Sequence, residues 1–130
     1  IDGAALSLSL LCGARRCDLL SINRQHLEVD ADGMLSFAGV EVNTTALTDP
    51  RAARLADLAA RVHAAVAGLR GFVGIDLVWH ATHGPVVIEV NPRVTCAYVG
   101  LSHALRRNLA ADVISACADQ SSFEAAHGHA

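Results

Sequence analysis

The sequence predicts an α+β domain in which helices pack against an antiparallel sheet. Three observations predict it. The N-terminal third carries the two-residue alternation of strands, a helical period follows in the middle, and two more strand-like segments precede a second helical stretch. The 130 residues, 52% of them hydrophobic and 18% charged, suffice for one folded domain with one core and exclude a disordered chain.

The first three predicted strands lie within the first 43 residues. Leucine and serine alternate along AALSLSLLC (residues 4–12), which is typical of a half-buried strand. CDLLSINRQHLEVD (17–30) predicts a second strand, and MLSFAGVEVN (34–43) a third. DADG (30–33) predicts the turn between those two.

The middle of the chain, TDPRAARLADLAARVHAAVAGLRG (48–71), predicts a helix. Asp49 is suited to cap the first N–H groups, Pro50 to occupy the first helical position and Gly71 to end the helix. Five apolar side chains fall on one helical face, which predicts burial against the sheet: Leu55, Leu58, Val62, Val66 and Leu69.

The remaining elements are a hairpin and a C-terminal helical stretch. GFVGIDLVWH (71–80) and PVVIEV (85–90) predict two strands joined by a short turn at residues 81–84. Residues 98–117 have a helical pattern that we expect to break near Asn108. The final DQSSFEAAHGHA (119–130) predicts a flexible tail.

Composition excludes several classes of function. The net charge of −3 and the pI near 6.1 give no electrostatic basis for binding nucleic acid or an anionic membrane. No segment has the apolar length of a membrane span, and none has the features of a targeting peptide. Four cysteines without metal-type spacing predict buried or partly buried thiols in a reducing compartment, and we therefore expect a cytoplasmic protein.

The first residue indicates a fragment. The chain begins with Ile1, and its only methionine is Met34. We therefore expect these residues to belong to a longer polypeptide.

Three oxygen-bearing side chains interrupt the apolar runs of the predicted hairpin: Asp76, Glu89 and Asn91. If the turn has four residues, so that His80 pairs with Pro85, then Asp76 lies opposite Glu89. Asn91, two residues further, then projects from the same face. This register is an assumption, and a slip of one residue would scatter the three side chains.

Two facing carboxylates repel each other unless a cation lies between them. Hard oxygen ligands favour Mg²⁺, with Mn²⁺ as an alternative, and Mg²⁺ takes one or two protein carboxylates together with substrate phosphates. Arg93 would supply a planar donor for a phosphate or acyl-phosphate oxygen. The alternative is a solvated sheet end, at which Glu89 and Arg93 are only surface charges.

The segment GIDLVWHATHGPVVIEVNPRVTCAYVG (74–100) resembles the metal-binding hairpin of the ATP-grasp superfamily. In that hairpin a strand bearing an acidic or amide residue is followed by a strand ending E-x-N-x-R. IDGAALSLSLLC (1–12) and LLSINRQHLEVD (19–30) resemble the first strands of the C-terminal ATP-grasp subdomain. The resemblance covers residues 1–118, which it identifies as that subdomain. NPRVTCAYVGL is most similar to the group that includes tyramine–glutamate ligases of methanofuran biosynthesis.

The resemblance implies a carboxylate–amine ligase that uses ATP and Mg²⁺ and forms an acyl phosphate. Asp76, Glu89 and Asn91 would hold one or two Mg²⁺ ions that bridge the ATP phosphates. Arg93 would stabilise the transferred phosphoryl group. Arg24 would face the same cleft and contact phosphate or a substrate carboxylate; otherwise it is a strand-surface arginine.

The resemblance also implies that half of the active site lies elsewhere. The nucleotide-binding lysines and the Gly-rich loop of the superfamily belong to its N-terminal half, and this chain contains no lysine. We expect the fragment to be inactive alone. Two alternatives stay open: a non-catalytic nucleotide-binding module that works with a separate polypeptide, and a plain interaction domain.

Two other features are explained by ordinary structural roles. His80 and His83 have a spacing that can bind Zn²⁺, but both flank a predicted turn. Thr95 is predicted to cap the last helical stretch, with an anion site at that helix terminus as the alternative.

Overall fold

The structure is a computed structural model that describes residues 1–118. The predicted tail, residues 119–130, lies outside the described residues. Five strands and three helices follow one another along the chain: β1 (Ala4–Cys12), β2 (Cys17–Val29), β3 (Leu35–Thr45), α1 (Pro50–Ala65), β4 (Gly71–His80), β5 (Gly84–Asn91), α2 (Cys96–Leu105) and α3 (Leu109–Ala118).

The strands form one antiparallel sheet in the order β3-β2-β1-β4-β5. The predicted α+β class and antiparallel sheet are confirmed. The predicted turn at residues 30–33 is also present, because the Asp30 carboxylate accepts the backbone N–H groups of Asp32 and Met34 at 3.0 and 2.9 Å. Because these hydrogen bonds form within the turn itself, the local sequence was enough to predict it.

Helix α1 covers one face of the sheet. Its buried residues Leu55 and Leu58 belong to the same core cluster as Leu8 and Leu10 of β1 and Ile75 of β4. The Asp49 side chain accepts the N–H of Arg51 at 2.8 Å, which confirms the predicted cap. This face, which we call the α1 face, is apolar and holds the larger core.

The opposite face is divided between helices and polar side chains. At one end Leu101 and Leu109 pack on Phe72 and Leu20, and the ring of Tyr98 meets that of Phe72 edge-on at 5.4 Å. Further along the strands this face carries serine, asparagine and aspartate instead of apolar residues. We call it the polar face.

The prediction that β1 is half-buried was wrong, because its serines are buried too. Ser7 and Ser9 are only 7% and 0% exposed. The Asn23 amide of β2 donates to both hydroxyls, at 3.3 and 3.0 Å, so β1 is buried on both faces. Alternation with serine suggested a solvated face, but the polar partner comes from the neighbouring strand and was not visible locally.

Helix α1 ends earlier than predicted. Its last residue is Ala65, and the N–H of Val66 donates to the carbonyl of Val62 at 3.0 Å. Gly71 is the first residue of β4, with φ of 72°. A Cβ at that position would lie 2.8 Å from the Cys117 sulfur, so α3 requires the glycine there.

The C-terminal helical stretch is broken as predicted, between α2 and α3 at residues 106–108, where Arg106 adopts a left-handed conformation. Within residues 1–118, no helix has both the length and the apolar character needed to cross a membrane.

Candidate functional site

The β4–β5 hairpin has the predicted pairing of Asp76 with Glu89, but its turn differs from the predicted one. Asp76 pairs with Glu89, as expected, but His80 pairs with Gly84 and not with Pro85. The turn therefore has three residues, 81–83, and the assumed four-residue turn was wrong. Continued regularly, this register would place Asp76 opposite Ile88.

A β-bulge corrects the register. The pairing shifts between Leu77 and Asp76, which leaves Ile88 as an extra residue in β5. Val87 and Val90, three residues apart, both pack against the core on the α1 face. Glu89 and Asn91 consequently share the polar face with Asp76. The bulge decides which side chains of β5 join the site.

Asp76 is the centre of the resulting cluster. One of its carboxylate oxygens accepts the Gln25 side-chain amide at 3.0 Å, and the other accepts the Asn91 amide at 3.2 Å. Arg93 in turn donates to the Asn91 side-chain oxygen at 3.3 Å. We call Gln25, Asp76, Glu89, Asn91 and Arg93 the Asp76 cluster. Three strands, β2, β4 and β5, and one loop residue, Arg93, thus contribute to this cluster.

The pKa of Asp76 is raised above the ordinary aspartate value. Burial of the carboxyl group is the main cause, and the negative charge of Glu89 adds to it. The hydrogen bonds from Gln25 and Asn91, and the charge of Arg93, act in the opposite direction. The negative charge of Asp76 is therefore only partly compensated, and a bound cation would compensate it further.

Gln25 is the member of the Asp76 cluster that was not predicted from the sequence. It lies on β2, two strands away from Asp76, and alternation alone could have placed it on the face of Asn23. Asn23 itself is fully buried and satisfied: besides its bonds to the serines, its oxygen accepts Ser21 and the backbone N–H of Asn43, at 2.8 and 2.9 Å. This network fixes β2 beside the cluster.

The structure does not bring Arg24 to this cluster, contrary to the expectation. Arg24 lies between Asn23 and Gln25, and its cross-strand neighbours are Leu6 and Glu41. Leu6 belongs to the core beneath α1, so Arg24 projects from the α1 face, where it is exposed. Alternation along β2 gives the polar face to Gln25.

Gly74 lets the chain leave β5 across the polar face. A Cβ on Gly74 would lie 2.6 Å from Cγ2 of Thr95, which is at the start of α2. Thr95 makes no side-chain capping bond, so that part of its predicted role is not observed; its carbonyl accepts the N–H of Tyr98 at 3.0 Å. The close approach holds residues 92–95 over β4, beside Asp76.

The histidine pair stays a turn feature. The His80 ring accepts the N–H groups of Thr82 and His83 at 3.1 Å each, and the two rings stack at 4.6 Å. Among residues 1–118, no three His, Cys, Asp or Glu side chains come together as a metal site. The two carboxylates of the Asp76 cluster are therefore supplemented by an amide and not by a third acid.

A family profile of the ATP-grasp domain matches residues 1–97 of this sequence. The chain belongs to the ATP-grasp family. The match includes the whole sheet together with Asp76, Glu89, Asn91 and Arg93, so the predicted superfamily is confirmed.

Three known proteins extend the comparison. Tyramine–L-glutamate ligase from Methanocaldococcus jannaschii is 37% identical over 102 residues, which are 78% of this chain and 30% of that protein. The crystal structure of an ATP-grasp superfamily protein from Archaeoglobus fulgidus superposes with a TM-score of 0.72 and 31% identity, over 88% of this chain and 35% of that one.

The D-alanine–D-alanine ligase of Bacillus anthracis superposes with a TM-score of 0.63 at 16% identity, over 95% of this chain and 43% of the ligase, which supports the ATP-grasp fold. This ATP-grasp chain thus spans about one third of the curated relative and of the first structural one.

Proposed function

We propose that this chain is the C-terminal part of an ATP- and Mg²⁺-dependent carboxylate–amine ligase that acts through an acyl phosphate. The observation that carries the proposal is the convergence of Asp76, Glu89 and Asn91 on the polar face, with Arg93 bonded to Asn91. Family membership and a curated relative that is a ligase support the same chemistry.

The donor set of the Asp76 cluster fits Mg²⁺. Asp76, Glu89 and Asn91 offer hard oxygen atoms, and two carboxylates leave room for water and phosphate ligands. The pKa of Asp76 is raised mainly by burial and also by the charge of Glu89, and a bound cation would offset both effects. Bound there, Mg²⁺ or Mn²⁺ would neutralise and orient the ATP phosphates.

Asn91 and Arg93 have complementary parts in this proposal. The Asn91 amide nitrogen now donates to Asp76, while its oxygen accepts from Arg93. Turning the amide over would present its oxygen as a metal ligand and would free the guanidinium. Arg93, which is exposed, could then stabilise charge on the phosphoryl group during transfer to the substrate carboxylate.

The remaining parts of the proposal concern substrates and partners. A carboxylate substrate would be phosphorylated, and an amine would displace the phosphate to form the amide. L-Glutamate and tyramine are the first pair to test, because they are named in the curated relative, and a methanofuran-type one-carbon pathway in the cytoplasm is the corresponding setting. The N-terminal ATP-grasp half would supply the lysines and the Gly-rich loop that this chain lacks.

The proposal is tested in the full-length protein with ATP, Mg²⁺, L-glutamate and tyramine. We expect ADP release that requires all four, and a hydroxamate when hydroxylamine replaces the amine, because hydroxylamine traps acyl phosphates. Asp76→Asn combined with Glu89→Gln should lower turnover by on the order of 100-fold or more, since the cation loses both charged ligands.

Glu28→Gln is the matched control, because Glu28 is an exposed carboxylate of β2 outside the cluster. Its turnover should equal that of the unmodified protein. Nucleotide binding without ADP release for any acid and amine would instead favour the non-catalytic nucleotide-binding module. Unchanged turnover in the double variant would contradict the assigned site.

A further inference from the structure

The β1–β2 hairpin closes on two cysteines that face each other. Cys12, the last residue of β1, pairs directly with Cys17, the first residue of β2. The next pair outward is hydrogen-bonded, because the N–H of Gly13 donates to the carbonyl of Arg16 at 2.9 Å. Hydrogen-bonded and non-hydrogen-bonded pairs alternate along an antiparallel ladder, so Cys12 and Cys17 form a non-hydrogen-bonded pair.

That position has the backbone geometry of a disulfide. In non-hydrogen-bonded pairs the Cα atoms lie about 4.5 Å apart, and disulfides span Cα distances of about 4.4–6.8 Å. The structure contains both cysteines as free thiols, and the Cys17 thiol donates to the carbonyl oxygen of Ala59 at 3.5 Å. At the Cα distance typical of such pairs, a bond between the two sulfurs would need side-chain rotation and no large movement of the strands.

The two thiols differ in access. Cys12 is fully buried, whereas Cys17 is half-buried and lines a cavity of about 430 Å³ between the hairpin and the end of α1. Arg15, Arg16 and Arg70 also line this cavity, and none of its lining residues is acidic. The buried Nε of Arg70 has no hydrogen-bond partner among the described residues. Arg16 is paired with the Asp18 carboxylate at 3.4 Å, so Arg15 and Arg70 supply the positive charge that favours an anionic reagent. Such a reagent would reach Cys17 before Cys12.

We propose that Cys12 and Cys17 are a redox-active dithiol that a small anionic disulfide, entering this arginine-lined cavity, oxidises to a cross-strand disulfide. The Cys17 sulfur would attack the reagent disulfide, lose its proton to solvent and release one reagent thiol. The Cys12 sulfur would then attack the mixed disulfide at Cys17, lose its proton and release the second reagent thiol. Two protein thiols and one reagent disulfide thus become one protein disulfide and two reagent thiols.

The order of attack follows from the environment of each sulfur. Burial is the main cause that raises the pKa of Cys12 to about 12; the neighbouring Cys17 and the charge of Asp18 act in the same direction, and Arg70 opposes them. Burial also raises the pKa of Cys17; the neighbouring Cys12 thiol opposes this, and the charge of Asp18 adds to it. Because the thiolate is the nucleophile, oxidation should be slow at neutral pH and should accelerate by up to about tenfold for each pH unit in the alkaline range.

This dithiol is separate from the Asp76 cluster. Asp76 pairs with Ser7, and Ser7 is five residues from Cys12 along β1. At about 3.4 Å per residue, roughly 17 Å separates the two sites. The dithiol proposal therefore stands or fails independently of the proposed ligase activity.

Oxidised glutathione, which carries carboxylates, is the probe. The full-length protein with Cys96→Ser and Cys117→Ser removes the two exposed cysteines of the described chain. After incubation at alkaline pH we expect a mass loss of two hydrogens. Trypsin cuts after Arg15 and Arg16, so the Cys12 and Cys17 peptides should stay joined until a reductant is added.

Two variants make the result decisive. Adding Cys12→Ser should convert the product to a stable glutathione adduct on Cys17. Replacing Arg15 and Arg70 with glutamine should slow oxidation by glutathione several-fold more than oxidation by an uncharged disulfide, because only the charged reagent uses the cationic cavity. Separate tryptic peptides with both thiols still open to alkylation after unfolding, or stable glutathione on both cysteines, would overturn the proposal.

Discussion

At the scale of residues, Asp76 shows how a carboxylate can be kept inside a sheet without a direct ion pair. Gln25 and Asn91 each donate one hydrogen bond to it, while Glu89 opposes its charge from the paired position. A neutral donor compensates a buried charge less than a cation does. The free protein is therefore expected to be more stable without this charge.

Asp76→Asn should reveal this through pH. Because the pKa of Asp76 is raised in the folded protein, the folded state binds its proton more tightly than the unfolded state does. The free energy of unfolding thus falls as pH rises from the ordinary aspartate pKa through the raised one. Urea unfolding should show similar stability of both proteins below that window and a gain for the variant above it, by less than about 1 kcal/mol because solvent screens this partly buried site.

Asp32→Asn, in the exposed turn after β2, is the control for the loss of one negative charge. It should show no such gain across the same window. A variant at position 76 that loses stability at neutral pH would contradict the assignment of an uncompensated charge.

At the scale of elements, a bulge and a glycine place the second half of the site. The extra residue Ile88 restores the pairing of Asp76 with Glu89, and Gly74 lets Thr95 pass close over β4. Both features correct the path of β5 and of the chain that follows it. The arrangement of Asn91 and Arg93 therefore depends on backbone details and not only on side-chain identity.

Gly74→Ala tests the crossing. The new methyl group would lie 2.6 Å from Cγ2 of Thr95, so residues 92–95 would have to shift, at a cost of about 1–3 kcal/mol. Thr95→Ser removes that methyl and should recover most of the loss in the double variant. Chemical denaturation of the four proteins measures the coupling. An equal loss from Gly74→Ala in both backgrounds would show that another contact is responsible.

At the scale of the whole molecule, the sheet is unevenly covered. β1 and β4 lie inside it, with neighbours on both edges and a buried face beneath α1. The outer part of the β2–β3 hairpin extends beyond the helices, and Val29, Leu35 and Phe37 are 66%, 63% and 50% exposed. Local stability should follow this difference in burial.

Hydrogen exchange checks this expectation. Amides of Leu8 and Ile75, which are 1% and 0% exposed, should exchange only by global unfolding. Amides between residues 29 and 37 should exchange orders of magnitude faster, by local opening of the hairpin. Equal protection of the two groups of amides in residues 1–118 alone would contradict the uneven packing. Added protection of residues 29–37 in the full-length protein would identify this surface as one that the rest of the protein covers.

Strong local signals made most of the fold predictable. The apolar period of α1 and its Asp49 cap, the turn at Asp30, and the break between α2 and α3 each depend on neighbouring residues only. The predicted end of α1 was wrong because Gly71 does not end the helix. It begins β4 and leaves room for the Cys117 side chain. A glycine alone does not tell a helix exit from a close approach.

The sequence by itself determined the acidic hairpin and its family; it predicted the pairing of Asp76 with Glu89 only from a turn length that the structure contradicts. Only the tertiary structure decided how that pairing arises and which β2 residue joins it: a shorter turn, a bulge at Ile88, and Gln25 in the place expected for Arg24. Strand alternation has a period of two, so one extra residue exchanges the faces. Packing between strands that are distant in sequence decides the face on which each residue lies, and no local sequence pattern shows this.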